Sequence, residues 1–435
     1  MNGDLESIVT EIPGPCSRAL AASLARTESR GVTYVSAEFP VFWESAAGAT
    51  ISDVDGNRYL DLTAAFGVAA AGHANPAVTR AIAAQAARLP HGMGDVHPSS
   101  VKADLLEKLA AIAPLDRPKS FLCSGGAEAL EFALKTSLLA TGEPNVLAFA
   151  GGYHGLSYGT LEIGGIAKFR RPWRRQLRGT TSFAPFPDPR EPRSRERTLA
   201  FVTKTLRKDH SIGAVVVEPI QGRAGVIIPP EGFLRGLREL CDARDALLIV
   251  DEIYTGFGRT GTLFACEREG VRPDILCVGK AMAGGFPISA AISRGEVADA
   301  WEPSRGEVLH TSTYLGNPMG CAAALANIEE IERLDLVAVA RRREPMIAER
   351  LHALERFNTQ ITDVRGRGML WAIEFKDPVV AAAATVRALQ KGLIVLPCGL
   401  RGEALTIAPP LTITEPQLQR AFDLLAEAVR DPLLA

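Results

Sequence analysis

Short apolar runs that end at a glycine or a charged residue recur through the middle of this chain. Residues 246–250 (ALLIV) end at Asp251, and residues 275–278 (ILCV) end at Gly279 and Lys280. Runs of this length and composition are typical of buried strands in a parallel sheet. Because ligands of open α/β sheets bind beyond the carboxyl ends of the strands, we expect Asp251 and Lys280 to face one crevice.

Three further segments show the same order of an apolar run, a glycine or charged residue, and a following helix. Residues 121–123 precede SGGAEALEFALK, residues 146–149 precede AGGYHG, and residues 214–217 precede EPIQG. Together with the first two runs, these segments predict an α/β fold with a mostly parallel sheet. Its glycine-rich and charged stretches then all follow strand ends, where a ligand site is expected.

The two ends of the chain carry different patterns. Residues 41–68 alternate apolar and polar positions around the turn sequence DVDGN, which predicts a hairpin. A helix is predicted to follow, with Pro76 near its start. From about Cys321 the pattern turns helical, and later strand patterns lead to an amphipathic last helix with Thr414 as its N-cap. These segments predict a smaller α+β C-terminal domain.

The composition favours a globular protein that acts on small molecules. Of the 435 residues, 47% are hydrophobic and 23% are charged, and the formal net charge is −2. A chain so nearly neutral has no electrostatic attraction to nucleic acid or to a membrane surface. No run of about 18 apolar residues is present, and the N-terminus lacks the apolar run of a signal peptide. We therefore expect no membrane span and a cytoplasmic location.

The cysteines support the same compartment. They number seven, lie scattered from position 16 to position 398, and include no CxxC pair. An odd count without close pairs predicts neither a disulfide framework nor a zinc site, and no other metal site is predicted.

The residues around Asp251 and Lys280 carry a family resemblance. Asp251 opens DEIYTGFGRTG, and Lys280 lies in VGKAMAGGFP, whose glycines let the backbone approach a flat ligand closely. A structural ion pair is the alternative for these two residues taken alone. Their surroundings, however, resemble the class III (omega) aminotransferases, which use pyridoxal 5′-phosphate (PLP) on the type I aminotransferase fold. The resemblance implies that Lys280 carries PLP as a Schiff base and that Asp251 binds its pyridine nitrogen.

Both implied roles have a physical reason. PLP stabilises a carbanion only while its ring nitrogen stays protonated, and a fixed carboxylate such as Asp251 keeps it so. The amine of Lys280 needs a lowered pKa, which burial and nearby positive charge produce, so that it exchanges with substrate and transfers protons as the free base.

The sequence SGGAEA predicts a phosphate site. It opens a helix whose first unpaired amides belong to Gly126 and Ala127, and such a helix N-terminus binds a phosphate dianion. A strand followed by glycines and a helix can also begin a dinucleotide-binding fold, but no GxGxxG is present here.

Further residues receive roles from the resemblance. Tyr153, with His154 beside it, matches the aromatic residue that stacks on the cofactor ring, and Ile253 matches the aliphatic residue on the opposite face. Taken alone, Tyr153 and His154 are more simply core residues. Glu218 resembles an acid near the cofactor, although it could equally be a strand-end carboxylate that caps a turn. Phe66 is expected near the substrate.

The resemblance also predicts a homodimer with shared active sites. Thr313 lies in HTSTYLGNP, which resembles the segment by which one subunit donates a threonine hydroxyl to the phosphate bound by the other. The expected domains are an N-terminal arm and hairpin (residues 1–60) that packs with the small domain, a large PLP-binding domain (61–325) and the small C-terminal domain (326–435).

Three positions depart from the branch of the family that uses glutamate. Leu156 and Thr406 stand where those members commonly carry arginines, and Arg223 stands where they carry a glutamate. The usual guanidinium clamp for a substrate carboxylate is therefore missing. We expect Arg223 or Arg401 to replace it. A third basic stretch, residues 168–178 (KFRRPWRRQLR), is predicted to be a solvated, mobile loop without a chemical role.

The predicted activity is transamination, in which an amine or omega-amino acid donor leaves its amino group on PLP and an oxo acid acceptor collects it by a ping-pong mechanism. The alternative is a PLP-dependent isomerase, an aminomutase or epimerase, because an enzyme without an external oxo acid tolerates the loss of acceptor arginines. A binding protein that only keeps the fold is less favoured, since the catalytic residues are present. A dehydrogenase is disfavoured by the missing glycine fingerprint.

Overall fold

The computed structural model describes residues 5–33, 36 and 39–430, and it alternates helices with strands along most of that length. Short 3₁₀ helices add single turns at Arg171–Trp173, Ala265–Glu269, Lys280–Met282 and Ala353–Arg356. The α-helices are α1 (Pro15–Thr27), α2 (Ala64–Gly67), α3 (Pro76–Arg88), α4 (Ser100–Ile112), α5 (Gly126–Thr141), α6 (Tyr158–Ile163), α7 (Ala167–Arg170), α8 (Ser194–Lys208), α9 (Phe233–Asp242), α10 (Gly295–Ala298), α11 (Pro318–Arg333), α12 (Leu336–His352), α13 (Pro378–Gln390) and α14 (Glu415–Val429).

The strands form three sheets. Their bounds are β1 (Trp43–Ala47), β2 (Thr50–Asp53), β3 (Arg58–Asp61), β4 (Lys119–Cys123), β5 (Asn145–Phe149), β6 (Thr181–Ala184), β7 (Ile212–Val217), β8 (Leu247–Asp251), β9 (Ile275–Val278), β10 (Ser289–Ser293), β11 (Ile361–Arg367), β12 (Leu370–Phe375), β13 (Leu393–Ile394), β14 (Leu396–Cys398) and β15 (Ala404–Ile407).

The largest sheet has seven strands in the order β4-β10-β9-β8-β7-β5-β6. Strands β9, β8, β7, β5 and β6 are mutually parallel, whereas β10 runs antiparallel to both of its neighbours. The prediction that the runs ending at Asp251 and Gly279 are adjacent parallel strands is confirmed, because Asp251 on β8 pairs with Cys277 on β9. The expected α/β fold with a mostly parallel sheet is confirmed.

Burial on both faces of the sheet explains why its strands are continuously apolar. Along β8, Leu248 and Val250 belong to one hydrophobic cluster, and Leu247 and Ile249 belong to the other. Alternate side chains thus point into separate cores, so neither face tolerates polar residues. The charged side chain of Asp251 comes where the strand ends.

The first sheet joins the two ends of the chain. Its hairpin, β2 and β3, is antiparallel around the turn DVDGN, as predicted, and β13 adds to β3 in parallel. The third sheet, in the order β11-β12-β15-β14, is antiparallel throughout. The division into segments 1–60, 61–325 and 326–435 stays a prediction, and residues 1–4, 34, 35, 37, 38 and 431–435 lie outside the described residues.

Helix ends follow the capping residues that the sequence offers. In α3 the side chain of Asn75 accepts from Ala77 N, and Pro76 fills the first turn, as predicted. In α14 Thr414 and Gln417 form a reciprocal capping box. The stretch 168–178 differs from the predicted loop, since its first six residues form α7 and a 3₁₀ turn. No helix among the described residues has both the length and the apolar character needed to cross a membrane.

Candidate active site

The ends of β8 and β9 bring Asp251 and Lys280 together. Asp251 is the last residue of β8, and Lys280 begins the 3₁₀ turn that follows β9. The charges of Asp251 and Glu218 both act on the Lys280 amine, so the three side chains share one site. Lys280 has φ +39, a left-handed conformation that costs a non-glycine residue free energy and is typical of functional sites.

Asp251 is held by a buried histidine. The Nδ1 atom of His154 lies 2.8 Å from Oδ2 of Asp251, and the backbone N–H of Ile253 donates to Oδ1 at 3.1 Å. Burial alone would lower the pKa of His154, but the hydrogen bond and the charge of Asp251 outweigh it and raise that pKa above its usual value. His154 thus stays protonated to higher pH and holds the Asp251 carboxyl group in a fixed direction.

Glu218 lies in the same buried layer. Its carboxylate accepts the backbone N–H of Tyr153 at 2.8 Å and that of Gly222 at 3.1 Å, so it ties two site loops together. Burial raises the pKa of Glu218 to about 7, with His154 opposing the shift and Asp251 adding to it. The site therefore contains, next to Asp251, an acid that titrates near neutrality.

The Lys280 amine is poised to act as a base. Burial lowers its pKa, and this outweighs the carboxylates of Asp251 and Glu218, which act in the opposite direction. In the part of the chain that the structure describes, no carboxylate forms an ion pair with Lys280. Instead, its Nζ atom lies 4.9 Å from the centre of the Tyr254 ring, within cation–π range.

Tyr254 is a site residue to which the sequence reasoning gave no role. Its ring is clamped between two glycines, since a Cβ atom at Gly67 would lie 2.6 Å from Tyr254 Cε2 and one at Gly222 would lie 2.3 Å from Cδ1. No larger residue fits at either glycine without displacing the ring. The sequence did place Tyr254 three residues after Asp251, in DEIYTGFGRTG, which could have indicated a site residue. Only the fold, however, brings Gly67 and Gly222 against the Tyr254 ring.

The N-terminus of α5 forms another wall of the site. Gly125 is the N-cap residue, and Gly126 and Ala127 begin the helix, as expected. Ser289 Oγ donates to the Gly125 carbonyl at 2.7 Å and fixes this turn against β10. A Cβ atom at Gly126 would lie 2.8 Å from Cδ1 of Ile253, so the absence of a side chain leaves the space that Ile253 occupies.

Tyr153 lies above this buried layer. The residue is half-buried, and its ring packs edge to face with Phe169 at a centroid distance of 5.7 Å. Ile253 is also half-buried and follows Asp251 by two residues. The backbone N–H of Tyr153 donates to Glu218, and the backbone N–H of Ile253 donates to Asp251. These two hydrogen bonds hold both residues beside the acids.

Two predicted residues are not brought into contact with this group. Phe66 is 67% exposed and lies in α2, where residues 64–66 all have positive φ. It is near the site only through its neighbour Gly67, which packs against Tyr254. Thr313 is exposed, and among the described residues no hydrogen bond joins its side chain to Lys280 or Asp251.

The arginine candidates differ in their placement. Arg223 is half-buried, its Nη1 atom donates to the carbonyl of Gly399 at a long 3.5 Å, and its charge acts on Tyr153. Arg401 is exposed, and its backbone N–H donates to Glu403. The geometry therefore favours Arg223 over Arg401 as a residue that faces the site.

These residues fit PLP. The accessible or half-buried wall contains a helix N-terminus for a phosphate, an aromatic and an aliphatic side chain for the two faces of a ring, and an amine for the aldehyde. Beneath it lies a buried, histidine-held carboxylate that suits a protonated ring nitrogen. An α/β fold with this constellation beyond its strand ends defines a PLP-dependent enzyme of the type I aminotransferase fold.

Comparisons with known proteins make the family plain. Residues 33–429 match the family model described as aminotransferase class-III. The 4-aminobutyrate aminotransferase of Mycobacterium leprae (strain TN) is 36% identical over 452 residues, covering 98% of both chains. The acetylornithine aminotransferase of Methanopyrus kandleri is 38% identical over 392 residues, covering 90% of this chain and 95% of the relative. The chain belongs to the class III aminotransferases.

Solved structures agree with this assignment. An amine transaminase from an uncultivated Pseudomonas species, in its PLP-bound form, matches with a TM-score of 0.85 at 30% identity and covers 93% of this chain and 97% of its own. The ornithine aminotransferase from Toxoplasma gondii ME49 matches with a TM-score of 0.85 at 27% identity, covering 95% and 94%. The protein is therefore a PLP-dependent enzyme that transfers an amino group from an amine to an oxo acid, and these relatives give no support to the isomerase alternative.

Proposed function

We propose that Lys280 is the residue that binds PLP covalently and that Asp251 binds its ring nitrogen. The observation that carries this proposal is the position of the Lys280 amine beside a buried carboxylate that His154 holds in place. When bound, PLP supplies the electron sink that stabilises negative charge at the reacting carbon. Asp251 keeps the ring nitrogen protonated, and the Lys280 amine removes and returns the proton at that carbon.

The other site residues position the cofactor in this proposal. The backbone amides of Gly126 and Ala127 bind the phosphate at the N-terminus of α5. Tyr153 and Ile253 contact the two faces of the ring. Glu218 fixes the Tyr153 backbone, and its pKa of about 7 lets it take up or release a proton next to Asp251 at neutral pH.

We propose an omega-amino acid as the donor and an oxo acid as the acceptor. The relatives named for 4-aminobutyrate and acetylornithine support a donor with a carboxylate. In this chain Leu156 is 51% exposed and cannot bind an anion, and Thr406 lies buried in β15. Arg223, which lacks an acidic partner among the described residues, is the residue that we assign to the carboxylate.

The active unit is proposed to be a homodimer in the cytoplasm. Thr313 is exposed, and so are the neighbouring apolar side chains of Leu309 and Tyr314, which a second subunit could cover. In this arrangement the Thr313 hydroxyl reaches the phosphate bound by the other subunit. The seven cysteines are all free thiols, which supports a reducing compartment.

Spectroscopy and product analysis test the assignment of Lys280. Protein loaded with PLP is expected to absorb visible light, and borohydride reduction should attach the cofactor to the peptide that contains Lys280. Lys280→Ala should bind PLP without this attachment, while Lys204→Met, a change of an exposed lysine on α8, should behave as the unmodified protein. Reduction that labels another lysine would refute the proposal.

The reaction itself is tested by its products. With an omega-amino acid and 2-oxoglutarate or pyruvate, one oxo product should form for each acceptor that becomes aminated. Conversion of a single amino acid to an isomer, without any oxo product, would contradict transamination.

A further inference from the structure

The turn formed by residues 222–226 joins two parts of the site. At its start, the backbone N–H of Gly222 donates to Oε2 of Glu218 at 3.1 Å. A Cβ atom at Gly222 would lie 2.3 Å from Cδ1 of Tyr254, so the Tyr254 ring packs directly on the backbone of the turn. The position of this turn therefore sets the position of a buried acid and of the ring that lies beneath the Lys280 amine.

The far end of the turn has a strained backbone. Gly225 has φ +115, and Val226 has φ +56, which is an outlier for a β-branched residue. The Val226 side chain is fully buried in a hydrophobic cluster that includes Leu370 on β12 and Ala404 on β15, and Tyr254 packs against this cluster. Because a chain does not keep such a conformation by itself, surrounding contacts must hold it.

Arg365 on β11 supplies such a contact. Its Nε and Nη2 atoms donate to the Gly225 carbonyl at 2.8 and 2.6 Å. The fit is close, since a Cβ atom at Gly225 would lie 2.9 Å from Nη2 of Arg365. The Arg365 side chain is only 9% exposed. Two charge-assisted hydrogen bonds to one carbonyl thus fix the strained end of the turn from the third sheet.

Two acids hold the guanidinium of Arg365 in this orientation. Asp363 and Glu374 lie directly opposite each other on β11 and β12, where two like charges are unfavourable. The Nη1 atom of Arg365 lies 2.7 Å from Oδ2 of Asp363 and 2.7 Å from Oε2 of Glu374. Arg190 also binds Glu374, at 2.9 Å. The acids therefore bind one edge of the Arg365 guanidinium and leave its other edge to the turn.

We propose that Arg365 is a positioning residue of the transamination site, and that it holds the strained turn so that Gly222 packs on the Tyr254 ring. The inference rests on the proposed function of Lys280, whose Nζ atom lies 4.9 Å from the centre of that ring. Arg365 acts on the amine from a distance, through the turn and the ring. The third sheet is thereby part of the machinery that prepares the amine for its reaction.

The pH dependence of covalent PLP capture by cofactor-free protein tests this role. In Arg365→Met the turn is released and the ring loses its place beneath the Lys280 amine. Because an aromatic face stabilises the protonated amine, the pH midpoint of capture should move to lower pH. The kcat of the first half-reaction should fall about tenfold in the loaded protein, because the amine is misplaced.

Gly225→Ala disrupts the same contact from the other side, since its methyl group collides with Nη2 of Arg365. The midpoint should move in the same direction as in Arg365→Met. The double variant should shift no further than the more affected single variant, because both changes remove one contact. Arg365→Lys keeps a charge between the acids and so protects the fold, but one ammonium group cannot reproduce the two parallel bonds to the carbonyl. It should therefore shift the midpoint in the same direction, with urea unfolding close to that of the unmodified protein.

Two control variants separate positioning from general destabilisation. Arg190→Met removes a cation from the same acids, but among the described residues Arg190 makes no hydrogen bond to the turn. Gly270→Ala adds a methyl group at another positive φ, +66, where nothing lies within 4 Å. Both may be less stable in urea than the unmodified protein, and both should keep its midpoint.

The outcomes distinguish this inference from the proposed function. If the unmodified protein captures no PLP at Lys280, the proposed function fails. If capture is normal, but Arg365→Lys and Gly225→Ala both keep the midpoint of the unmodified protein, Arg365 only stabilises the fold and its positioning role is refuted. An equal shift in Arg190→Met and Arg365→Met would also refute that role, because the charge of the network would then be responsible.

Discussion

The Nδ1 atom of His154 lies 2.8 Å from Oδ2 of Asp251, and both side chains are buried. This contact ties His154, the residue after Tyr153, to the carboxylate at the end of β8. A carboxylate buried without such a partner would take up a proton and lose its charge. His154 therefore supplies the buried Asp251 carboxyl group with a hydrogen-bond partner, which suits the proposed bond of Asp251 to a protonated ring nitrogen.

Removal of the charge on Asp251 should affect the chemistry more than the binding of PLP. Asp251→Asn keeps the shape but loses the anion, and we expect kcat of the first half-reaction to fall at least about 100-fold. His154→Gln keeps a polar partner without positive charge and should lower kcat about tenfold or more. Stopped-flow absorbance measures both rates. Asp104→Asn, an exposed change on α4, is the control, and a rate near that of the unmodified protein in Asp251→Asn would contradict the assignment.

The Tyr254 ring should hold the Lys280 amine in its protonated form. An aromatic face stabilises a cation, so Tyr254→Leu should lower the pKa of Lys280 further, whereas Tyr254→Phe should retain it. The rate at which cofactor-free protein captures PLP covalently rises as the amine loses its proton, and its pH midpoint measures this pKa. Equal midpoints in the two variants would show that the ring does not act on Lys280.

Glu218 should make the stability of the cofactor-free protein depend on pH. Its pKa in the folded protein is about 7, above its ordinary value of 4.5, so the folded state holds this proton more tightly than the unfolded chain does. The resulting stability is complete below pH 4.5 and is lost as the pH rises through 7. Urea unfolding at about pH 5 and about pH 8 should differ by about 1–3 kcal/mol from this group.

Glu218→Gln should remove that difference. It should also destabilise the protein at about pH 5 by about 1–3 kcal/mol, because one amide oxygen cannot accept both backbone N–H groups. Glu239→Gln, an exposed change on α9, should keep the pH dependence of the unmodified protein. If Glu218→Gln retains the full pH dependence, another group is responsible for it.

Thr313 should act across the subunit boundary. Thr313→Ala is expected to weaken PLP binding about tenfold, since one hydrogen bond to the phosphate is lost. The decisive sample is a mixed dimer of Lys280→Ala and Thr313→Ala subunits, isolated with two different tags. If Thr313 serves the other subunit, one of its two sites contains both Lys280 and Thr313 and binds PLP as tightly as the unmodified protein. If Thr313 serves its own subunit, or if no dimer forms, no such tight site appears.

Much of the fold could be predicted because it depends on local patterns. The runs that became β5, β7, β8 and β9 are apolar on both faces, and Pro76 and the cap Thr414 lie at the starts of their helices, as predicted. Strand β10 (SAAIS) escaped prediction because small residues carry little hydrophobic signal. Residues 168–178 were predicted to be a loop, but the first six of them form α7 and a 3₁₀ turn, because their charges obscured the packing of Phe169 against Tyr153.

The sequence by itself determined which residues end the strands, and hence that Asp251, Lys280, Glu218 and the glycines of α5 lie at one edge of the sheet. Their order along the chain is sufficient for this, since parallel strands share a direction. Only the tertiary structure decided that His154 binds Asp251 and that Tyr254 lies beneath the Lys280 amine between Gly67 and Gly222. These contacts join residues far apart in the sequence, and their distances and desolvation are set by packing, which no local pattern specifies.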